Sequence, residues 1–166
     1  MPDKKTIERA HQDKRAGKSA STQAGEFVRE EIDHIREGKH GVKSTKQAIA
    51  IGLSKARRAG VDLKVPKKGQ VSDKTRKSAK RAYEKGQRHE PVSRKRSKAI
   101  TKALKREGGS AVSHEALSRQ TKSSAAKRSA TDRSASARKA AKTKGSRNRS
   151  AAAKKAARTR ARNSHR

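Results

Sequence analysis

Residues 22–38, TQAGEFVREEIDHIREG, decide how the rest of the chain reads. Ala24, Phe27, Val28, Ile32 and Ile35 recur at helical spacing, while Glu26, Glu30, Asp33 and Glu37 fall mostly on the other faces. Such a segment is an amphipathic helix with one face to bury. Ser21 or Thr22 supplies a starting cap, and Gly38 followed by Gly41 a stop. A second helix follows in STKQAIAIGLSKARRAG, residues 44–60. Ser44 and Gln47 are spaced as a capping box, the hydroxyl accepting from the Gln47 amide while the Gln47 side chain reaches back. Ala48, Ile49, Gly52, Leu53 and Ala56 carry the apolar stripe towards Gly60. Val61, Leu63 and Val65 then alternate, as an extended arm folding back over the pair would. The prediction is a helical hairpin over residues 22–65 closed by that arm. Its large apolar side chains are few, so it is marginal alone, which leaves room for a homodimer through the hairpin or for ligand-assisted folding. Ile51 falls off the main stripe and suits either a partner surface or packing against the arm.

Around this hairpin the composition is that of a solvated chain. Among 166 residues, 48 Lys and Arg face 15 Asp and Glu, a formal net charge of +33. Hydrophobic residues make up 28%, against roughly 45–50% in an ordinary globular domain. Low hydrophobicity with high net charge predicts a small ordered piece within a largely unfolded chain. A surplus of this size requires anions, and nucleic acid, anionic lipid and acidic proteins are the candidates. The chain has no cysteine, so disulfides and thiolate metal sites are excluded. It has no apolar run of the ~18 residues that would span a bilayer, and MPDKKTIERA has no signal-peptide character. The expected location is cytoplasmic and nucleoid-associated.

Charge is unevenly spread. Residues 1–65 carry 15 basic and 9 acidic side chains, and residues 66–166 carry 33 and 6. Residues 1–21 form a charged N-terminal segment with helical potential. Residues 66–92 are Lys-, Gly- and Ser-rich and read as a basic linker whose one large anchor is Tyr83. Over 93–122 a weak short helical pair is expected: Ala99, Ile100, Ala103 and Leu104 form a first stripe, closed by Gly108 and Gly109, and Val112, Ala116 and Leu117 form a second. Residues 123–166 are an Ala/Ser/Lys/Arg tail with an internal repeat: RSASARKAAKTKG (133–145) aligns with RSAAAKKAARTRA (149–161). Ten alanines among residues 133–166 favour helix, and the massed like charges oppose it. The tail is therefore expected to be largely disordered, becoming helical once phosphates neutralise it.

That tail is the candidate nucleic-acid site. Thirteen Lys or Arg follow Asp132 without one carboxylate, more than solubility requires. Its phosphate-contacting candidates are Arg133, Arg138, Lys139, Lys142, Lys144, Arg147, Arg149, Lys154, Lys155, Arg158, Arg160 and Arg162. Lys46, Lys55, Arg57 and Arg58 on the second hairpin helix are secondary candidates. Gln47 is the one obvious base reader there, and a cap is the better reading of it. The Gly38–Lys43 connection is longer than a helix-turn-helix turn, and one Phe with one Tyr cannot build a stacking platform for single strands. Gly17-Lys18-Ser19 resembles the end of a phosphate-binding loop, but Gln12 stands where that motif needs glycine. His34 and His40 lack a second pair of ligands in the sequence and read as solvated residues beside a helix end, so no metal, cofactor or catalytic group is expected.

The stretch from Phe27 to Gly60 resembles a family of small basic bacterial proteins known only as a domain of unknown function. The resemblance rests on Glu37-Gly38-Lys39-His40-Gly41, Lys46-Gln47-Ala48-Ile49-Ala50-Ile51, Leu53-Ser54 and Ala56-Arg57, and spans about a fifth of the chain. It implies a bacterial source and carries an association with DNA binding. The tail is similar in composition to the Lys/Ala/Ser/Arg-rich tails of linker-histone-like bacterial proteins. Taken together, the expectation is an all-α protein with a small helical hairpin and a long basic tail. Its expected function is non-enzymatic, histone-like binding of duplex DNA with little sequence preference. The alternatives are an RNA- or ribosome-associated protein, an anionic-membrane or stress-protective disordered protein, and a protein-interaction module with a passive basic tail.

Overall fold

The structure, a computed structural model, describes residues 2–164; Met1, His165 and Arg166 lie outside the described residues. It is all-α. Seven helices follow in order: α1 (Lys4–Arg15), α2 (Ala20–Arg36), α3 (Thr45–Arg58), α4 (Asp73–Gln87), α5 (Arg94–Leu104), α6 (His114–Ala126) and α7 (Ala130–Ser164). A 3-10 turn, Ser110–Val112, separates α5 from α6. The chain divides into two compact units, residues 1–120 and 121–166.

In the first unit the hairpin is present as α2 and α3. Its stripe residues Ala24 and Phe27 are fully buried, together with Ala56 of α3 and Ala10 of α1. Val61 completes this cluster, and Leu63 packs against it, so the alternating arm lies over the hairpin as its pattern requires. Removing the Phe27 ring would cost about 3–5 kcal/mol, the usual penalty for emptying a buried aromatic position. A second cluster joins Ile35, Val42, Ala48 and Val112, with Ile51 and Leu104 at its edge. Ile51 thus packs with the second cluster, which includes Val112 of the turn after α5. The loop that follows α5 is tied down by backbone bonds from Gly41 N to the Leu104 carbonyl and from Val42 N to the Gly108 carbonyl, both 3.0 Å.

The hairpin ends are set by backbone chemistry. At the end of α2, Gly38 N bonds the Ile35 carbonyl and Lys39 N the His34 carbonyl, the paired bonds of a Schellman motif. At the end of α3 the same pair runs from Gly60 N to Arg57 and from Val61 N to Ala56. Both motifs place their glycine at positive φ, 73° and 86°. At the start of α3, Ser44 Oγ accepts from Gln47 N, while Gln47 Oε1 accepts from Lys43 N. The reciprocal bond therefore reaches one residue beyond the usual box. α2 begins after Ser19, one turn edge earlier than Ser21 or Thr22 would place it.

Two parts of the chain depart from the expectation. Residues 73–87, inside the expected linker, form α4, whose buried residues are Ala79, Ala82 and Gly86. This helix approaches α3 so closely that a Cβ on Gly86 would stand 1.9 Å from the Arg57 carbonyl oxygen. The amino-terminal segment, with its expected helical potential, forms α1 over residues 4–15, packed through Thr6, Ile7 and Ala10. The larger correction concerns the carboxy-terminal unit. The tail is not disordered: residues 130–164 are one long ordered helix, α7, kinked at Gly145, where φ is 73° and ψ 162°. Ser129 opens α7, its Oγ accepting from Asp132 N at 3.0 Å and donating to Asp132 Oδ2 at 2.7 Å. Alanine and the long aliphatic stems of Lys and Arg are strong helix formers, and in this helix they outweigh the few like-charge pairs at i, i+4.

Candidate nucleic-acid interface

α7 is a helix without a buried face. Ala141 and Ala156 are partly covered, and its cations are exposed. At about 100° per residue, Arg133 and Lys144 lie on one side before the kink and Arg138, Lys139 and Lys142 on the other. Beyond it Arg147, Lys154, Lys155, Arg158 and Arg162 fall within an arc of about 100°, with Arg149 and Arg160 on the opposite side. The 16-residue repeat reappears in the geometry: Thr143 and Thr159, one repeat apart, each donate a hydroxyl back to the carbonyl four residues earlier, Lys139 and Lys155. Among the described residues no cation of α7 pairs with a carboxylate. Arg133 turns inward only as far as the carbonyls of Ala125 and Arg128 at the start of the helix, and Arg149 donates to the Gly145 carbonyl at 3.3 Å. The remaining ten sequence-chosen cations of α7 carry free, outward charges.

The four secondary candidates on α3 have a different fate. Lys46 is exposed. Lys55 is drawn between two acids of α2, 3.2 Å from Glu30 Oε1 and 2.7 Å from Glu31 Oε2. Arg57 is buried and donates to the Leu63 and Lys64 carbonyls, clamping the arm onto the hairpin. Burial lowers its pKa from the usual guanidinium value. Arg58 reaches the carbonyls of Glu90 and Pro91, tying α3 to the loop after α4. Three of the four are thus fastening groups of the fold. Gln47 is spent on the α3 cap.

A cationic surface the sequence reading did not single out lies on α5. From Val92 to Arg106 the chain holds Arg94, Lys95, Arg96, Lys98, Lys102, Lys105 and Arg106 and no acid, and α5 has no buried residue. Ser97, Lys98, Thr101, Lys102 and Lys105 line a shallow groove along it. The signal was present as an acid-free run, masked by the louder run that follows Asp132.

Residues 11–69 match a family of unknown function, DUF6496. The matched segment runs from within α1 to just past the arm, and so contains the hairpin, its caps and the Lys55 and Arg57 fastenings. α4, α5 and α7, with the cationic surfaces, lie beyond it. No curated protein and no solved structure matches this chain.

Other sequence features find local roles around the DUF6496 segment. Gly17, at φ 69°, ends α1; Lys18 pairs with Asp13 at 2.6 Å, and Ser19 precedes α2. The resemblance to a phosphate loop is thereby accounted for by helix ends. Phe27 is core, and the Tyr83 hydroxyl donates to Asp62 Oδ1 at 2.7 Å. That bond holds the phenol in its protonated form and raises its pKa above the ordinary value. His34 and His40 are not solvated: their side chains are 15% and 12% exposed, with ring centroids 6.5 Å apart. No helix among the described residues is long and apolar enough to cross a membrane.

Proposed function

We propose that this chain is a non-enzymatic binder of duplex DNA that acts by neutralising phosphates, with α7 as the principal contact and α5 as an auxiliary one. The observation that carries this reading is the set of exposed cations around α7 with no carboxylate to answer them. A helix fits the major groove of a duplex. Cations on opposite sides of it reach the phosphates of both groove walls, or of two duplexes at once, whereas a one-sided stripe would serve a single strand. The kink at Gly145 divides α7 into two such rods and lets the path bend. Single-strand stacking is poorly served, because Phe27 is buried and Tyr83 is engaged with Asp62. Base reading is poorly served too, since Lys and Arg on opposite sides of a helix favour phosphates over one edge of the bases. Binding is therefore largely independent of sequence, as in a nucleoid-associated protein.

The test is fluorescence anisotropy of the full chain on mixed-sequence duplex DNA, with structured RNA and anionic vesicles as competitors at fixed salt. If 6–10 phosphates are engaged, affinity falls by about 10³–10⁵ between 50 and 200 mM salt. Duplex DNA is expected to outcompete both alternatives. Preferential release by RNA would move the reading to an RNA-associated protein, and release by vesicles to a membrane-surface one.

A further inference from the structure

The carboxy-terminal half of α2 gathers acids and histidines for which phosphate binding has no use. Glu31 is fully buried, and neither of its oxygens receives a hydrogen bond. The Lys55 ammonium faces Oε2 as an ion partner at 2.7 Å, without hydrogen-bond geometry. The other oxygen, Oε1, faces His40 Nε2 at 3.3 Å. The orientation of His40 is fixed from its far side, where Nδ1 lies 3.2 Å from the Gly41 carbonyl. A carbonyl only accepts, so Nδ1 holds the donated hydrogen, and in the neutral ring Nε2 is a bare lone pair. A lone pair then points at a carboxylate oxygen, and a positive centre belongs between them: a second ring proton or a metal ion.

Three observations favour the metal. Glu31, His34 and His40 each offer one ligand atom, all within 4.8 Å of one another, whereas a shared proton needs only two of the three. Nitrogen and oxygen ligands at 2.0–2.2 Å around tetrahedral zinc stand about 3.4 Å apart, and the His40–Glu31 distance is 3.3 Å. The charge balance agrees: Asp3, Glu30, Glu31 and Glu37 surround the site against two ammoniums, Lys39 and Lys55, leaving two negative charges for a divalent ion to cancel. The backbone builds the set. Glu31 and His34 are three apart on one face of α2, and the turn at Gly38 brings His40 back to them. The bond from His40 Nδ1 to a backbone carbonyl is the outer-sphere support that metal-bound imidazoles ordinarily have.

We propose that Glu31, His34 and His40 bind a divalent first-row transition ion, with zinc best suited to two imidazoles and a carboxylate. The fourth position falls to water or to Asp3, whose Oδ2 is 3.5 Å from His34 Nε2. Bound there, the ion fastens the end of α2 to the loop that leads into α3. The test uses the full-length protein, stripped with a chelator and free of nucleic acid, titrated calorimetrically with zinc chloride. One ion per chain is expected, with Kd of about 1 μM or tighter. In parallel, imidazole nitrogen NMR should show the His34 and His40 signals moving with the first equivalent of zinc while those of His11, His89 and His114 stay. The double variant H34Q/H40Q should lose at least the roughly 100-fold that even outer-sphere changes cost, and H11Q should lose nothing. Absence of stoichiometric binding, or histidine signals that all move alike, would overturn the proposal. So would NMR showing His40 doubly protonated and indifferent to zinc. The native-protein NMR decides the matter even where the double variant does not fold.

Discussion

α3 and α7 are both alanine-rich, basic helices, and they use their cations in opposite ways. In α3, Lys55 meets two buried acids, while Arg57 and Arg58 reach backbone carbonyls of the arm and of the loop after α4. In α7, beyond Arg133 and Arg149, every candidate cation faces solvent, and Asp132 at its start is the last acid of the chain. The difference lies in what surrounds each helix and not in the helix itself. Residues 1–65 hold 9 acids and a folded arm with carbonyls to offer, whereas after Asp132 the chain has no acid, and among the candidate cations of α7 only Arg133 and Arg149 reach a carbonyl. Lys55, Arg57 and Arg58 of α3 therefore belong to stability, and the free cations of α7 are available to a ligand.

Substitutions can break that contrast at several strengths. The largest effect is expected for Gly86→Ala, whose new methyl must displace the Arg57 backbone. It should cost about 3 kcal/mol, read as a lower urea midpoint, with DNA affinity of the remaining folded protein unchanged. Lys55→Met comes close behind. It removes the one ammonium beside Glu30 and Glu31, 4% and 0% exposed, and should also cost about 3 kcal/mol. The matching change in α7, Arg158→Gln, should leave the urea midpoint within about 0.5 kcal/mol and weaken DNA binding instead. A stable Lys55→Met protein with weakened DNA binding would reverse the assignment of the two helices.

Gly145→Ala should act more gently, and on shape. The Gly145 conformation is one that only glycine adopts without strain, and no other group stands within 4 Å of where its Cβ would be. Alanine there should remove the kink at a cost of about 1 kcal/mol or less and raise helicity by circular dichroism. Unchanged helicity with a retained kink would show that the bend has another cause. The smallest effect concerns the single tyrosine. The bond from Tyr83 to Asp62 raises the phenol pKa, so its stabilisation is complete below the unfolded value of about 10 and is lost as pH rises through the folded one. Ultraviolet titration should find phenolate forming at higher pH in the native protein than in Asp62→Asn.

Large apolar residues made the hairpin legible: Phe27, Ile35 and Val61 are buried where their spacing placed them. α4 was hidden because it packs through Ala79, Ala82 and Gly86, which fall at helical spacing but are small side chains in a Lys-rich segment that reads as a linker. The order of α7 was missed for a related reason. The massed like charge of the segment opposes its alanine content, and the Ser129–Asp132 cap that opens the helix tips the balance towards order. The histidine cluster was out of reach in the sequence, since His34 and His40 meet only through the turn that Gly38 makes. Likewise, the sequence could not distinguish Lys55 and Arg57 from Arg158, because only the neighbouring elements decide which cation is spent.

The central claim is that the free cations of α7 carry the DNA affinity. The direct measurement is the slope of log affinity against log salt for the native chain and for R147Q/K154Q/K155Q/R158Q/R160Q/R162Q. If those six side chains hold phosphates, the slope should become shallower by about 0.9 per contact, about 5 in all, with the urea midpoint unmoved. An unchanged slope and affinity would contradict the account and shift the interface to α5 or to the hairpin.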